Sequence, residues 1–238
     1  MKILIASMFF DFFSTKLPIG KEHSGVDFSY TGAMYTVPDS GNKSVVWKFY
    51  GKEIAEPIYM NFSNRDWEDI SIAGCRSFQS LECLYIGDFG TNTTGSRMPV
   101  VYEVDLSNPR RHVKHVLEYG DYEADTEALI VKGGVIYTIK KDGYRNLYKE
   151  DRGVLKKCGR LDDSGVYVTG ADWQDNRLAI VYHTRGGEYR AKEYVMDGCK
   201  VIDSRQLNFS SRRQVEGIAY GEKSIVAVSE DGSVFNID

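Results

Sequence analysis

The chain has 238 residues, a net charge of −4, and 42% hydrophobic and 13% aromatic residues. Acidic and basic residues are interspersed without a basic block, which argues against binding to a nucleic-acid backbone. No apolar run approaches the roughly 18 residues that a membrane helix needs, so we expect a soluble protein that does not insert into membranes.

The first predicted element is a strand over residues 2–8. The chain begins like a signal peptide, but Asp11 interrupts the apolar stretch before a full apolar core or a cleavage site is complete. We therefore interpret the stretch as a strand and expect a cytoplasmic protein.

Five repeat units follow in chain order, over residues 24–62, 67–118, 126–160, 168–208 and 215–238. The first four each contain four strand-length segments separated by turn sequences, such as Pro38-Asp39-Ser40-Gly41-Asn42. The fifth contains three, and we expect the strand over residues 2–8 to pair with it as the fourth. This pairing closes a ring and covers an otherwise exposed sheet edge.

Each unit opens with a polar residue that enters a short apolar strand. These residues form one column: Ser24, Glu68, Glu127, Thr169 and Glu216. They are 44, 59, 42 and 47 residues apart, and the interval from Glu216 across the termini to Ser24 is 46. Propeller blades repeat every 40–50 residues or so. The sequence therefore predicts an all-β fold, a single five-bladed β-propeller domain over residues 1–238 with four-stranded antiparallel blades.

The four cysteines are Cys75, Cys83, Cys158 and Cys199, and they show no CxxC pair and no metal-finger spacing. Buried free thiols are the expected state. A disulfide between Cys75 and Cys83, which could face each other across one hairpin, stays open as an alternative.

The column residues start the innermost strands, so we expect them to ring the mouth of the central channel, together with the loops that join the second and third strands of each blade. Three glutamates, one serine and one threonine offer five oxygens. At about 6 Å and an effective dielectric constant of about 20, each pair of ionised glutamates costs roughly 3 kcal/mol. Either protons or a cation must relieve this repulsion, and all-oxygen ligands favour Ca²⁺, with Mg²⁺ less suited. The alternative is that these residues hydrogen-bond neighbouring strand ends and hold no metal.

The order Ser, Glu, Glu, Thr, Glu resembles the ring that holds the central calcium in the five-bladed calcium-activated nucleotidases, the apyrases. Glu216-Gly217-Ile218 and the turn Asp39-Ser40-Gly41 are similar as well. The resemblance implies Ca²⁺-dependent hydrolysis of nucleoside di- and triphosphates at the channel mouth. The chain is shorter than an apyrase, and Lys140 and Lys141 stand where that family offers an adjacent arginine pair.

A second resemblance is to uncharacterised bacterial propellers related to the phytase-like esterases. Three stretches carry it: Asn64-Arg65-Asp66-Trp67-Glu68-Asp69-Ile70, Tyr85-Ile86-Gly87-Asp88 and Asp125-Thr126-Glu127-Ala128-Leu129. It implies the same fold and ring, and it is less specific about activity.

If the protein is an enzyme, we expect a phosphoanhydride hydrolase whose cation anchors a phosphorylated small molecule. The residues predicted to contact the substrate are Lys140, Arg185, Trp67 and Glu230, with Lys141 as a further phosphate-binding group. Those predicted to orient water are Asp39, Asp88 and His183. Taken singly, Lys141 and Asp231 fit solvated loop charges better.

Two rival hypotheses remain. The same face could capture an anionic small molecule or a partner protein without chemistry, or the chain could be a structural component of an assembly, since propellers host all these functions. The oligomeric state is left open.

Overall fold

The computed structural model describes residues 17, 22–39, 41–50, 54–90, 98–120, 125–141, 145–161 and 167–237. The strand predicted over residues 2–8, and its pairing with the last blade, lie outside these ranges. Within these ranges every regular element is a β-strand. The described residues therefore contain no helix that is long and apolar enough to cross a membrane.

The strands form five small sheets, which we number as blades in chain order. Blades 1 and 2 are four-stranded antiparallel meanders. The strands of blade 1 are β1 (His23–Phe28), β2 (Met34–Pro38), β3 (Val45–Tyr50) and β4 (Ile54–Tyr59). Those of blade 2 are β5 (Trp67–Ala73), β6 (Cys83–Asp88), β7 (Val100–Asp105) and β8 (His112–Val116).

Blade 3 carries a short fifth strand, because β9 (Glu118–Tyr119) pairs in parallel with its outermost strand. The other strands of blade 3 are β10 (Thr126–Lys132), β11 (Val135–Lys140), β12 (Asn146–Asp151) and β13 (Val154–Arg160). Blade 4 has β14 (Tyr167–Gln174), β15 (Arg177–His183), β16 (Tyr189–Asp197) and β17 (Lys200–Ser211). The described strands of blade 5 are β18 (Val215–Tyr220), β19 (Ile225–Ser229) and β20 (Val234–Ile237).

The five sheets close into a ring. Adjacent inner strands contact one another in the order β1, β5, β10, β14 and β18, and β18 in turn contacts β1. The predicted all-β five-bladed propeller is therefore confirmed.

Strands such as β6 are buried along their whole length because both faces of a blade are covered. Side chains alternate between the two faces of a strand. Leu84 and Ile86 accordingly pack with Val37 of blade 1, whereas Tyr85 packs with Leu129 of blade 3. The core is thus divided among the spaces between blades, and the channel at the centre is left to polar side chains.

Buried aspartates join neighbouring inner strands. The carboxylate of Asp69 accepts the amide N–H of Ile70 (2.8 Å) and that of Leu129 in blade 3 (2.9 Å). Asp27 accepts amides of Phe28 and, in blade 2, Ile72, and Asp172 accepts those of Trp173 and, in blade 5, Tyr220. Each aspartate therefore links its own blade to the next one.

The expectation of free thiols is wrong, because the structure pairs all four cysteines. The Cys75–Cys83 bond closes the connection between β5 and β6, with Cα atoms 5.0 Å apart. The Cys158–Cys199 bond joins β13 of blade 3 to the turn before β17 of blade 4, with Cα atoms 5.7 Å apart. Disulfides are rare in the cytosol, so these bonds count against the predicted cytoplasmic location.

The Asp69 link leads to a prediction about pH. Burial raises the pKa of Asp69 well above its ordinary value, although the two amide N–H groups oppose the shift. A carboxyl group with a raised pKa binds its proton more tightly in the folded state, so its contribution to stability falls as pH rises above the unfolded value of about 3.9. Asp69→Asn removes this titration. In urea unfolding experiments, we expect the free energy of unfolding of Asp69→Asn minus that of wild type to increase steadily from pH 4 to pH 8.

The exposed residue Asp197 at the end of β16 provides the control, because Asp197→Asn should show no such trend. If Asp69→Asn instead loses stability relative to wild type as pH rises, the carboxylate is ionised and stabilising, and the prediction is wrong.

Candidate functional site

The predicted column lies at the start of the five inner strands, and its side chains are buried. Ser24, Glu68, Glu127, Thr169 and Glu216 are only 3–8% exposed. In blades 2 to 5 the column residue is the extra residue of a β-bulge, because the pairing register shifts across it. In blade 1 the shift falls at Gly25, whose φ is 67°. Bulges re-aim side chains next to functional sites, and here they do so at one level of every blade.

The two hydroxyl groups of the column link blades. The Ser24 hydroxyl donates a hydrogen bond to the carbonyl of Glu68, and that of Thr169 donates to the carbonyl of Val215 at 2.7 Å. For these two residues the structure shows the blade-linking contacts of the metal-free alternative. A hydroxyl oxygen that donates its proton still carries lone pairs, so the contact does not remove Ser24 or Thr169 as possible ligands.

The three glutamates of the column are close enough to influence one another. Burial raises the pKa of Glu68 and of Glu216 well above the ordinary value, and the charge of Glu127 adds to both shifts. Burial also raises the pKa of Glu127 to about 7, although a neighbouring lysine opposes the shift. An ionised ring is therefore costly unless positive charge accompanies it.

Part of that charge is supplied by Lys141. Its Nζ lies 2.5 Å from Oε1 of Glu127, and about a third of its side chain is exposed. Burial alone would lower the pKa of Lys141, but Glu127, Asp125 and Glu68 together raise it above the ordinary value. The interpretation of Lys141 as a solvated loop charge is therefore wrong.

A second cluster of carboxylates adjoins the ring at Glu68. Oxygen atoms of Asp39, Asp66 and Glu68 all lie within 4.8 Å of one another. Oε1 of Glu68 is buried and has no hydrogen-bond partner in the described part of the chain. Gly90 leaves the space for it, because a Cβ atom there would lie 1.9 Å from this oxygen and 2.5 Å from Cγ of Asp66. Three converging carboxylates fit a hard cation, whose preferred ligands are oxygens.

Asp88, predicted to orient water, has partners on both oxygens. Oδ2 lies 2.9 Å from Nε of Arg65, and Oδ1 accepts the amide N–H of Asp66 at 3.1 Å. Asp88 therefore braces the segment that leads into Glu68.

Trp67, predicted to contact substrate, is fully buried and packs 5.7 Å from the ring of Phe62. Side chains alternate between the two faces of a strand. The side chain of Trp67 lies on the face that packs into the apolar core between blades 1 and 2. The predicted substrate contact of Trp67 is therefore wrong.

The remaining predicted residues lie on the same side of the propeller with different exposure. His183 is half-buried, with its ring 4.8 Å from that of Tyr189. Arg185 is exposed in the turn between β15 and β16, and Lys140 is buried at the end of β11. Burial raises the pKa of Glu230, and the nearby charge of Asp39 adds to it.

Asp231 is not a simple solvated charge. It accepts hydrogen bonds from the Ser229 hydroxyl (2.6 Å) and the Ser233 amide (3.0 Å), and it forms an ion pair with Arg213. Its role is to hold the turn between β19 and β20, so the solvated interpretation of Asp231 is wrong.

Sequence reasoning missed a second polar column, two positions before the first. Glu22, Asp66, Asp125 and Gln214 belong to it. The charge of Asp66 acts on Glu68, that of Asp125 acts on Glu127, and the Gln214 side chain hydrogen-bonds Glu216. The repeated Asp-x-Glu at 66–68 and 125–127 was the available signal.

Tyr189 was missed as well. Burial raises its pKa to about 12, with the charges of Glu216 and Glu230 adding to the shift. Its ring lies 4.8 Å from that of His183, and no repeat or motif in the sequence marks it.

No protein-family model and no curated protein sequence matches this chain. Among solved structures, the PQQ-bound aldose sugar dehydrogenase of Streptomyces coelicolor is 8% identical with a TM-score of 0.57, covering 94% of this chain and 96% of that one. A glycosyl hydrolase of Bacteroides ovatus is 11% identical with a TM-score of 0.56, covering 94% and 87%. A candidate gluconolactonase is 10% identical with a TM-score of 0.54, covering 91% and 73%.

At these identities the similarity supports the propeller fold alone. None of the three is an apyrase or a phytase-like esterase, so the comparisons leave the activity implied by those resemblances as a proposal.

The tight fit at Gly90 leads to a prediction. Gly90→Ala should destabilise the protein by about 1–3 kcal/mol, because overpacking forces neighbouring groups to move and the new Cβ would overlap Oε1 of Glu68. Gly186→Ala, on a turn of the same face where the nearest atom lies 3.7 Å away, should change stability little. Guanidinium unfolding of both variants measures the difference. Adding Glu68→Ala to Gly90→Ala should recover part of the loss; without recovery, the crowding does not involve Glu68.

Proposed function

We propose that the chain is a hydrolase that depends on a divalent cation and acts at the channel mouth on a small phosphorylated molecule. The observation that carries the proposal is the buried, unpartnered Oε1 of Glu68 beside Asp39 and Asp66. Leaving such an oxygen unpaired costs about 1–3 kcal/mol, and more if it is ionised. A bound cation would remove this cost, and Ca²⁺ suits a roomy site of oxygen ligands better than Mg²⁺ does.

Glu68, Asp39 and Asp66 would hold the cation. The other column residues, Ser24, Glu127, Thr169 and Glu216, remain candidate ligands of the same centre, since Glu68 belongs to both groups. When bound, the cation would polarise a phosphoryl oxygen and make a bound water more acidic.

The protein's own groups would position the substrate around this centre. The Arg65–Asp88 pair keeps the segment before Glu68 in place. Arg185 is exposed on the rim, and its planar guanidinium can contact two phosphate oxygens at once. His183 remains a candidate to orient the attacking water from the blade 4 side, and Glu230 remains a candidate to contact the substrate from the blade 5 side.

The charge at the mouth makes cation dependence a requirement of this proposal. Lys141 and Arg65 are already paired with Glu127 and Asp88, so the remaining carboxylates would repel a free phosphate. A phosphorylated substrate would therefore bind only with the cation present. The apyrase resemblance favours nucleotides as the first substrates to examine.

The same acidity supports a second candidate, hydrolysis of an uncharged ester or lactone derived from a sugar. Such a substrate meets no repulsion at the mouth, and a bound cation would polarise its carbonyl group in the same way. Two of the structural neighbours are named for a gluconolactonase and a glycosyl hydrolase. Their low identity makes this a reason to include a lactone in the assay and no more.

Cation binding is tested by thermal unfolding. Ca²⁺ should raise the melting temperature in a concentration-dependent manner, because a ligand of the folded state stabilises it by RT ln(1 + [L]/Kd), or about 2.7 kcal/mol at a hundredfold excess over Kd. Glu68→Gln should blunt this response. Glu222→Gln, which alters an exposed residue in the turn between β18 and β19, should retain it. Equal melting curves in Ca²⁺ and in chelator would exclude the cation site.

Activity is tested by phosphate release from a nucleotide panel, and by hydrolysis of a sugar lactone, each with Ca²⁺, Mg²⁺ or chelator. We expect turnover only with a cation and a loss of at least about a hundredfold in Glu68→Gln. Arg185→Ala should raise KM for phosphorylated substrates about tenfold and leave lactone hydrolysis unchanged. Arg110→Ala, an exposed arginine in the turn between β7 and β8, is the control.

The outcomes separate the rival hypotheses. Hydrolysis of the lactone alone would replace the phosphorylated substrate by the second candidate. If nothing is hydrolysed while a nucleotide still binds in a cation-dependent manner, the chain is a binding module.

A further inference from the structure

The column of glutamates already has one positively charged neighbour, Lys141, which contacts one of the three glutamates and not the other two. The Lys141 ammonium contacts Glu127 directly at 2.5 Å. Its charge also favours ionisation of Glu68 and Glu216, although within the described residues it donates a hydrogen bond to neither. One monovalent group therefore serves three buried carboxyl groups.

The uncompensated position lies at Glu68. Its Oε1 is buried and has no hydrogen-bond partner within the described residues, and Asp39 and Asp66 converge on the same residue. Glu68 is only 4% exposed. Lys141 thus supplies positive charge to Glu127 directly, whereas Oε1 of Glu68 has none in contact with it among the described residues.

We propose that Lys141 is a tethered counterion that competes with the divalent cation for the carboxylates of the ring. This inference rests on the cation site proposed above and assigns a regulatory group within it. A divalent cation that draws on Glu127 would meet the ammonium at contact distance, and two positive charges in one small space repel each other. Lys141 must therefore leave Glu127 as the cation binds.

Lys141 is placed to make that movement. It immediately follows the end of β11, and a third of its side chain is exposed to solvent. Its flexible four-carbon stem allows the ammonium to swing into water, where it is strongly hydrated. The apparent cation affinity then equals the intrinsic affinity multiplied by the fraction of molecules in which Glu127 is free of Lys141. A monovalent ion gains nothing by replacing an ammonium of equal charge, so the same competition selects for divalent ions.

The experiment compares Ca²⁺ affinities by isothermal titration calorimetry in wild type, Lys141→Met and Lys149→Met. Lys149 is an exposed lysine in the third strand of the same blade, so both variants lose one positive charge from blade 3. We expect Lys141→Met to bind Ca²⁺ at least tenfold more tightly than wild type, which corresponds to about 1.4 kcal/mol. Lys149→Met should match wild type. Lys141→Arg, which keeps the charge, should bind no more tightly than wild type.

Removal of the counterion could also prevent folding in the absence of a cation. In that case we expect Ca²⁺ to restore cooperative unfolding of Lys141→Met, as followed by near-ultraviolet circular dichroism. A variant that stays unfolded at saturating Ca²⁺ would overturn the proposal.

The two proposals fail in different ways. Measurable and equal affinities in wild type and Lys141→Met would overturn the role of Lys141 and leave the cation site standing. Absence of Ca²⁺ binding in both proteins would overturn the cation site and this inference together.

Discussion

The burial of carboxyl groups around the channel axis is the interaction on which the rest of this structure depends. Closing five blades into a ring brings the inner strands together. The apolar side chains pack in the spaces between neighbouring blades. Polar residues then occupy the centre, where burial raises the pKa of Asp69, Glu68 and Glu216. Each of these carboxyl groups needs hydrogen-bond donors, a proton or a neighbouring positive charge. Which of these three it has distinguishes the structural positions from the candidate functional ones.

The structural positions are those whose oxygens are both satisfied by fixed donors. Asp69 accepts two backbone amides from adjacent blades, and Asp88 accepts one amide and the Arg65 side chain. Such carboxylates hold the ring together, and each of their oxygens already accepts a hydrogen bond from a fixed donor. The candidate site lies one level away, where Oε1 of Glu68 has no partner among the described residues and Glu127 is paired with the partly exposed Lys141. A carboxylate neutralised by a flexible side chain can exchange that partner for a ligand, whereas one held by backbone amides cannot.

This distinction also constrains the chemistry. The described face of the channel is rich in acidic groups, and its basic groups are largely committed to partners on the same face. In the proposed function, an anionic substrate would therefore arrive with, or after, the cation. An uncharged ester or lactone would not have this restriction, so the substrate class would depend on how completely a bound cation offsets the ring. The proposed competition by Lys141 would add a second control, because it would set how readily the cation binds.

The amino-acid sequence was sufficient to predict the fold and the level of the propeller at which the candidate site lies. A repeat of apolar strands entered by a polar residue is visible without coordinates, because each blade must bury both faces and leave its first residue at the channel. The repeat predicted five blades, the ring residues and the acidic turn at Asp39 between the second and third strands of blade 1. Contacts between distant segments became visible only in the folded chain. The bond between Cys158 and Cys199 joins residues 41 positions apart, the ion pair of Lys141 depends on where the chain leaves β11, and the burial of Trp67 depends on packing between blades. Spacing along a chain encodes which residues share a level of a repeat, but it does not encode which side chains meet across blades or how much charge each one finds there.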